Sequence, residues 1–261
     1  VYSKGEDGSP IIAINTALNH KLQERLSEIV FLFIESREDR ANSLQAVINA
    51  KSSSLPNKFK VSVISAEFAP TLDNMLTSLE KQDKGLAPTF AFIDPFGFSG
   101  LPMKLIARLL ANDKTEVLIT FMGGFVTRFT DDLRANALDE LFGTDQWRKA
   151  DYINDPDERA KFFVDLYSSQ LKKVGKVEYT LTFAMRDSSN RHLYHLVFGT
   201  KSMKGLEVMK EAILCLVCCS NLSTIFPIRD GYIRESESSP LLKIEGSCIF
   251  SNASSSAAST C

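Results

Sequence analysis

The chain has 261 residues, 44% of them hydrophobic and 24% charged, with a formal net charge of -2 at pH 7. That composition is globular and excludes a fibrous or wholly disordered chain. The balanced charge excludes a protein held on nucleic acid by bulk charge alone, while leaving room for a local basic patch.

No apolar run approaches the roughly 20 residues that span a bilayer, so no membrane partner is expected. No signal peptide is visible at the start. All five cysteines, Cys215, Cys218, Cys219, Cys248 and Cys261, lie at or beyond position 215. A body without cysteine fits a reducing, cytoplasmic setting. The Cys215-x-x-Cys218-Cys219 cluster has no His or second Cys pair at zinc-ligand spacing. It reads as small apolar residues on a helix or in a tail.

Ser9 looks like an N-cap and Pro10 a first helical residue. Ile11, Ile14, Leu18 and Leu22 follow at helical spacing, which predicts an amphipathic helix to about residue 26. The apolar run 29–34 is too short for a helix. It predicts a strand buried on both faces, ended by Glu35. A helix over 38–51, a strand over 60–64 and a helix from Pro70-Thr71 to about 84 come next. Gly85 and Pro88 break the chain. A strand over 89–93 ends at Asp94, a helix covers 102–111, and a strand over 116–121 ends at Met122-Gly123-Gly124.

Alternation of this kind predicts a mostly parallel sheet with helices on both faces. Because it opens on a helix, a first strand is expected to be missing before Val1. Beyond it, 130–142 and 156–173 read as helices. Residues 177–185 alternate, with Val177, Tyr179, Leu181 and Phe183 on one face. Asp187-Ser188-Ser189-Asn190 is a turn and 192–200 a strand, so the two strands form an antiparallel hairpin. A last helix runs from Lys204-Gly205 through Ile213. Residues 1–214 are thus expected to form one α/β domain, Rossmann-like and laid out as in class I methyltransferases. Residues 215–261, rich in Ser and without period, are expected to be a disordered, atypical tail.

In such sheets the chemistry sits at the C-terminal ends of the strands. Asp94 can project from a strand end, the Pro95 carbonyl is free of ladder pairing, and the Phe96 ring offers a face for stacking. Gly97 permits a sharp turn. An Asp side chain with a nearby carbonyl can accept both hydrogens of an exocyclic amine and free its lone pair for attack on a sulfonium methyl. The Asp/Asn-Pro-Pro-Tyr/Phe motif of aminomethyltransferases is similar, with a second proline where this chain has Phe96. The alternative is an Asp that caps a helix before a Pro-Gly turn.

Glu35, at a strand end, fits an acceptor for the ribose hydroxyls of a nucleoside cofactor, or a surface acid at a helix N-terminus. Glu67 and Phe68 could flank an adenine, or be a loop acid and a core ring. His20, His192 and His195 suggest no catalytic pair, and Gly123-Gly124 is too short for a phosphate loop.

Several blocks together resemble the three-Cys-motif partner proteins (TcmP). They are Gly5-Glu6-Asp7-Gly8-Ser9-Pro10-Ile11-Ile12-Ala13, Phe33-Ile34-Glu35, Phe92-Ile93-Asp94-Pro95-Phe96-Gly97, and Tyr194 to Thr200 through Lys204-Gly205-Leu206-Glu207-Val208-Met209-Lys210. The resemblance covers roughly residues 2–213. It implies a class I methyltransferase-like fold, S-adenosylmethionine as cofactor and a three-Cys-motif protein as partner. The family's glycine-rich segment, expected before Gly5, and its winged-helix-like C-terminal region are not in this sequence. The resemblance therefore implies that residues 1–261 alone bind the cofactor weakly or not at all. The expected function is methyl transfer to an amine, with a nucleic-acid base as candidate substrate. The alternative is a non-catalytic Rossmann-like partner that binds nucleotide or protein.

Overall fold

The computed structural model describes residues 7–95, 97, 100–126, 134–186 and 192–219. Contacts divide the chain into two compact units, Val1–Thr77 and Ser78–Cys261.

The first unit contains α1 (Ser9–Asn19), β1 (Ile29–Glu35), α2 (Glu38–Lys51), β2 (Phe59–Ser65) and the start of α3 (Phe68–Lys81). Helix α1 begins at Ser9 itself, with Gly8 as N-cap and Pro10 in the first turn. It stops at Asn19, short of the expected end, because His20 turns to an extended conformation (φ -76°, ψ 128°). Gln23–Arg25 then form a separate 3-10 turn. Helix α2 carries Glu38 and Asp39 in its first turn and Lys51 in its last, the arrangement the helix dipole favours.

Strands β1 and β2 pair in parallel, from Ile29 opposite Phe59 to Glu35 opposite Ser65. Ile11 and Ile14 of α1 and Ile48 of α2 form a buried cluster, with Phe31, Phe33, Val61 and Val63 packed against it. One face of the pair is therefore covered. The other is not: Val30 is 63% exposed and Leu32 is exposed too, so β1 is not buried on both faces as its apolar run suggested.

The second unit contains β3 (Thr89–Ile93), α4 (Met103–Leu109), β4 (Thr115–Phe121), α5 (Gly123–Val126), α6 (Ala135–Phe142), α7 (Pro156–Lys173), β5 (Tyr179–Arg186), β6 (His192–Thr200) and α8 (Met203–Cys219). The strand order is β3-β4-β6-β5. Strand β3 runs parallel to β4, and β6 runs antiparallel to both β4 and β5.

Alternation along β4 divides the core. Phe121 stacks against Tyr167 of α7 with ring centroids 4.9 Å apart, and Phe142 against Phe163 at 5.7 Å. Leu118 packs on the opposite face with Leu181, Phe183 and Phe198, under Leu206 and Ile213 of α8. Helices thus cover both faces of this sheet. Each fully buried ring contributes about 1.5–3 kcal/mol through the apolar surface it removes from water. Helix α7 is capped by Asp155, whose side chain accepts from the backbone N–H groups of Asp157 (3.0 Å) and Glu158 (2.8 Å), and has Pro156 in its first turn.

The expectation of a mostly parallel sheet is corrected. Two pairings are parallel and two antiparallel, in two separate sheets. The difference lies in the split: β1 pairs with β2 in its own sheet, which leaves β3–β4 as the one parallel pairing beside the antiparallel hairpin, whose strand β6 takes the other edge of β4. Among the described residues, β1 pairs only with β2 and β3 only with β4. The protein is α/β with a mixed sheet.

Helix α8 runs to Cys219, across the boundary expected at 214. The expected start of a helix at 130, the turn at 187–190 and the tail from 220 lie outside the described residues. No helix among the described residues is long and apolar enough to cross a membrane.

Candidate functional site at the strand ends

In the second unit, β3 and β4 end side by side. Their last paired residues are Ile93 and Ile119, and Asp94 is the first residue beyond the end of β3. Asp94 is exposed and Pro95 half-buried. Gly97 has φ +96°, a left-handed conformation that glycine adopts without strain. Phe96, between them, lies outside the described residues.

Pro95, Gly97, Leu101, Thr120, Phe121, Met122, Val126 and Leu141 line a hollow at these strand ends. The open space in front of them is about 220 Å³, and its enclosed depth admits one water-sized group. Leu101, Phe121, Val126 and Leu141 are buried. None of the described lining residues is charged, and strand alternation turns Thr120 to the face of Leu118, opposite Phe121. The chain leaves β4 through Met122, whose carbonyl accepts from the Val126 N–H at 3.1 Å to close α5. Gly123 allows α5 to approach α7, since a Cβ there would lie 3.3 Å from the Ala160 carbonyl oxygen.

Glu35, Glu67 and Phe68 belong to the first unit, at the C-terminal ends of β1 and β2. Glu35 is half-buried, and its Oε1 accepts from the Arg37 N–H at 2.9 Å. Its carbonyl oxygen accepts from the Ala66 N–H at 3.1 Å. The carboxylate therefore orders the turn that leads from β1 into α2, the local role open to an acid at a helix N-terminus. Glu67 is exposed, and its carbonyl oxygen accepts from Thr71 Oγ1 at 2.7 Å. Phe68 is half-buried as the first residue of α3.

Pro95 lines the hollow with Asp94 just before it in the chain, and Glu35 and Glu67 lie at neighbouring strand ends of the first unit. Leu101, Thr120 and Met122 were missed as site residues. Thr120 and Met122 had a usable signal, because two parallel strands ending at Asp94 and Met122 must present both ends together.

Comparison with known proteins returns no match: no protein-family profile fits the chain, and neither a curated protein nor a solved structure is detectably similar to it.

Proposed function

We propose that this protein is an S-adenosylmethionine-dependent methyltransferase that acts on an amine, with a base of a nucleic acid as acceptor. The observation that carries the reading is the end of β3, where exposed Asp94 immediately precedes Pro95, a residue that lines the hollow between β3 and β4. The terminal antiparallel hairpin adds support, since the layout that the TcmP resemblance implies ends in one. Asp94 would accept one hydrogen of the amine and the Pro95 carbonyl the other. An amine held in this way would have its nitrogen lone pair free for attack on a sulfonium methyl, and Asp94 would take the proton released on transfer. Phe96 would stack on the acceptor, Glu35 would hold the ribose, and Glu67 and Phe68 would bracket the adenine. A Rossmann-like cofactor fold, a cytoplasmic setting and a three-Cys-motif protein partner belong to the same proposal.

A second reading is a non-catalytic nucleotide- or protein-binding partner. It gives Glu35 a structural part, since its Oε1 accepts from the Arg37 N–H at the turn into α2.

Calorimetry with S-adenosylhomocysteine on the full-length gene product separates the two. The enzyme reading expects binding tighter than about 1 mM, some 4 kcal/mol. No binding at that strength overturns it.

A further inference from the structure

We infer that the open edge of β5 is an interface at which two copies of this chain join their sheets, paired antiparallel about Thr182. This is independent of the methyl-transfer reading and is tested without it.

Among the described residues β5 pairs only with β6, so it ends the sheet β3-β4-β6-β5 on one side. An edge strand turns a row of N–H and C=O groups outward, a template for a further strand. Proteins blunt such edges with prolines, charges or short strands. The opposite edge follows that rule: β3 has five residues and stands between Pro88 and Pro95. Strand β5 does not. It has eight residues, and Tyr179 to Met185 holds no charge, proline or glycine. Leu181 and Phe183 are buried with Leu206 and Ile213 of α8, and Tyr179, Thr182, Ala184 and Met185 are half-buried. What the edge offers a partner is therefore chiefly its main chain, which recognises another strand.

The choice of partner follows from the strand's own sequence. Directly opposite residues of an antiparallel pair share a face, so a strand can pair with its own copy about one residue. About Thr182, Tyr179 meets Met185, Thr180 meets Ala184, Leu181 meets Phe183, and Thr182 meets itself. Apolar and Thr–Thr pairs of this kind stabilise sheets. One position further out, exposed Glu178 stands opposite Arg186, the last residue of β5. Opposite charges thus meet at both ends of the interface. Centring on Leu181 or Phe183 removes that match.

Such a pairing is isologous and closes at two copies. Helices α7 and α8 pack against β5. A two-fold axis at Thr182, normal to the sheet, sets α7 beside α7 and α8 beside α8. Strand pairing alone falls short of the about 1,000 Å² of a stable interface, and the flanking helices add to it.

Sedimentation of the full-length protein tests this. The wild type is expected at twice the mass of its chain. Thr182→Lys and Thr182→Glu each place like charges directly opposite one another and should raise the Kd of the dimer about 10-fold or more. An equal mixture of the two should recover the dimer, which an unfolded variant cannot do. Thr182→Cys, close to threonine in size, should link the two copies at this position under a mild oxidant, since paired Cα atoms stand about 4.5–5.5 Å apart, within disulfide reach. A wild type that stays monomeric overturns the inference and leaves the edge to a strand of another protein. Dimers that neither charge weakens, or no link at position 182, overturn it as well.

Discussion

The carboxylate of Glu116 fills the space that any side chain at Gly205 would enter: a Cβ built on Gly205 would collide with Glu116 Oε1 and come within 2.9 Å of Thr200 Oγ1. Thr200 Oγ1 donates to Glu116 Oε1 at 2.7 Å and accepts from the Ser202 N–H at 2.9 Å. Strand β4, the end of β6 and the first turn of α8 are thus joined at one point. The glycine at position 205 is thus explained by packing.

Gly205→Ala should therefore displace the Glu116 carboxylate and cost about 1 kcal/mol, the worth of the Thr200 hydrogen bond it would break. In the Glu116→Ala background the same change should cost less, leaving a coupling above about 0.5 kcal/mol. Urea unfolding of the four proteins measures this. Strictly additive losses would contradict the contact.

The only tryptophan, Trp147, donates from Nε1 to Asp139 Oδ1 at 2.7 Å, and the Arg148 guanidinium bonds the same oxygen at 2.8 Å. That guanidinium also stands 4.4 Å from the indole centroid. The hydrogen bond from Arg148 chiefly holds the Asp139 carboxyl below its ordinary value, against the opposing effect of burial, with the Trp147 hydrogen bond and the Arg148 charge adding smaller lowering effects. A folded-state value below the unfolded one stabilises the protein fully above the unfolded value, about 3.9 for Asp. That stability is lost as pH falls through the folded value. Tryptophan fluorescence should change in this acid window, below about pH 4, and Asp139→Asn should remove the change. The Asp139 side chain is 40% exposed, so the substitution should cost no more than about 1 kcal/mol at pH 7. A fluorescence titration that is the same in both proteins would contradict the assignment.

Tyr167 is fully buried, and its hydroxyl has no hydrogen-bond partner among the described residues. Burial alone raises its pKa. Removing an unpaired buried hydroxyl while keeping the ring should leave stability unchanged or raise it by up to about 1 kcal/mol. Thermal and urea unfolding of Tyr167→Phe check this. A loss above about 1 kcal/mol would mean that the hydroxyl is bonded after all.

Phe92 and Ile119 stand on adjacent strands yet differ in cover: Phe92 is 48% exposed and Ile119 fully buried. Phe92→Ser should therefore cost within about 0.5 kcal/mol, and Ile119→Ala about 2–5 kcal/mol. Comparable losses would mean that something covers β3 in solution.

Sequence periodicity gave the local elements well. The strand at 89–93 and the helices at 38–51 and 156–173 stand where spacing, breakers and caps put them. The hairpin followed from chain length alone, because a short turn leaves one geometry. Burial was less legible. The run 29–34 shows that β1 is apolar, but a run without alternation does not say which residues find cover, and Val30 finds none. Long-range fits were not legible at all: Glu116 and Gly205 are far apart in sequence, and only the β4–β6 pairing brings them together. For the site, Asp94 and Pro95 were legible as strand-end residues. The hollow beside them needed the register of β3 against β4, which no single strand encodes.

The most direct measurement is radiolabelled methyl transfer from S-adenosylmethionine to adenine- and cytosine-containing nucleic acid by the full-length protein, paired with S-adenosylhomocysteine affinity, for the wild type and Asp94→Ala. If Asp94 holds the acceptor, the wild type transfers label, Asp94→Ala transfers none, and the two affinities agree within about 2-fold, roughly 0.4 kcal/mol. Transfer that survives in Asp94→Ala, an equal loss of transfer and affinity, or a wild type that binds the cofactor product and transfers no label would contradict the account.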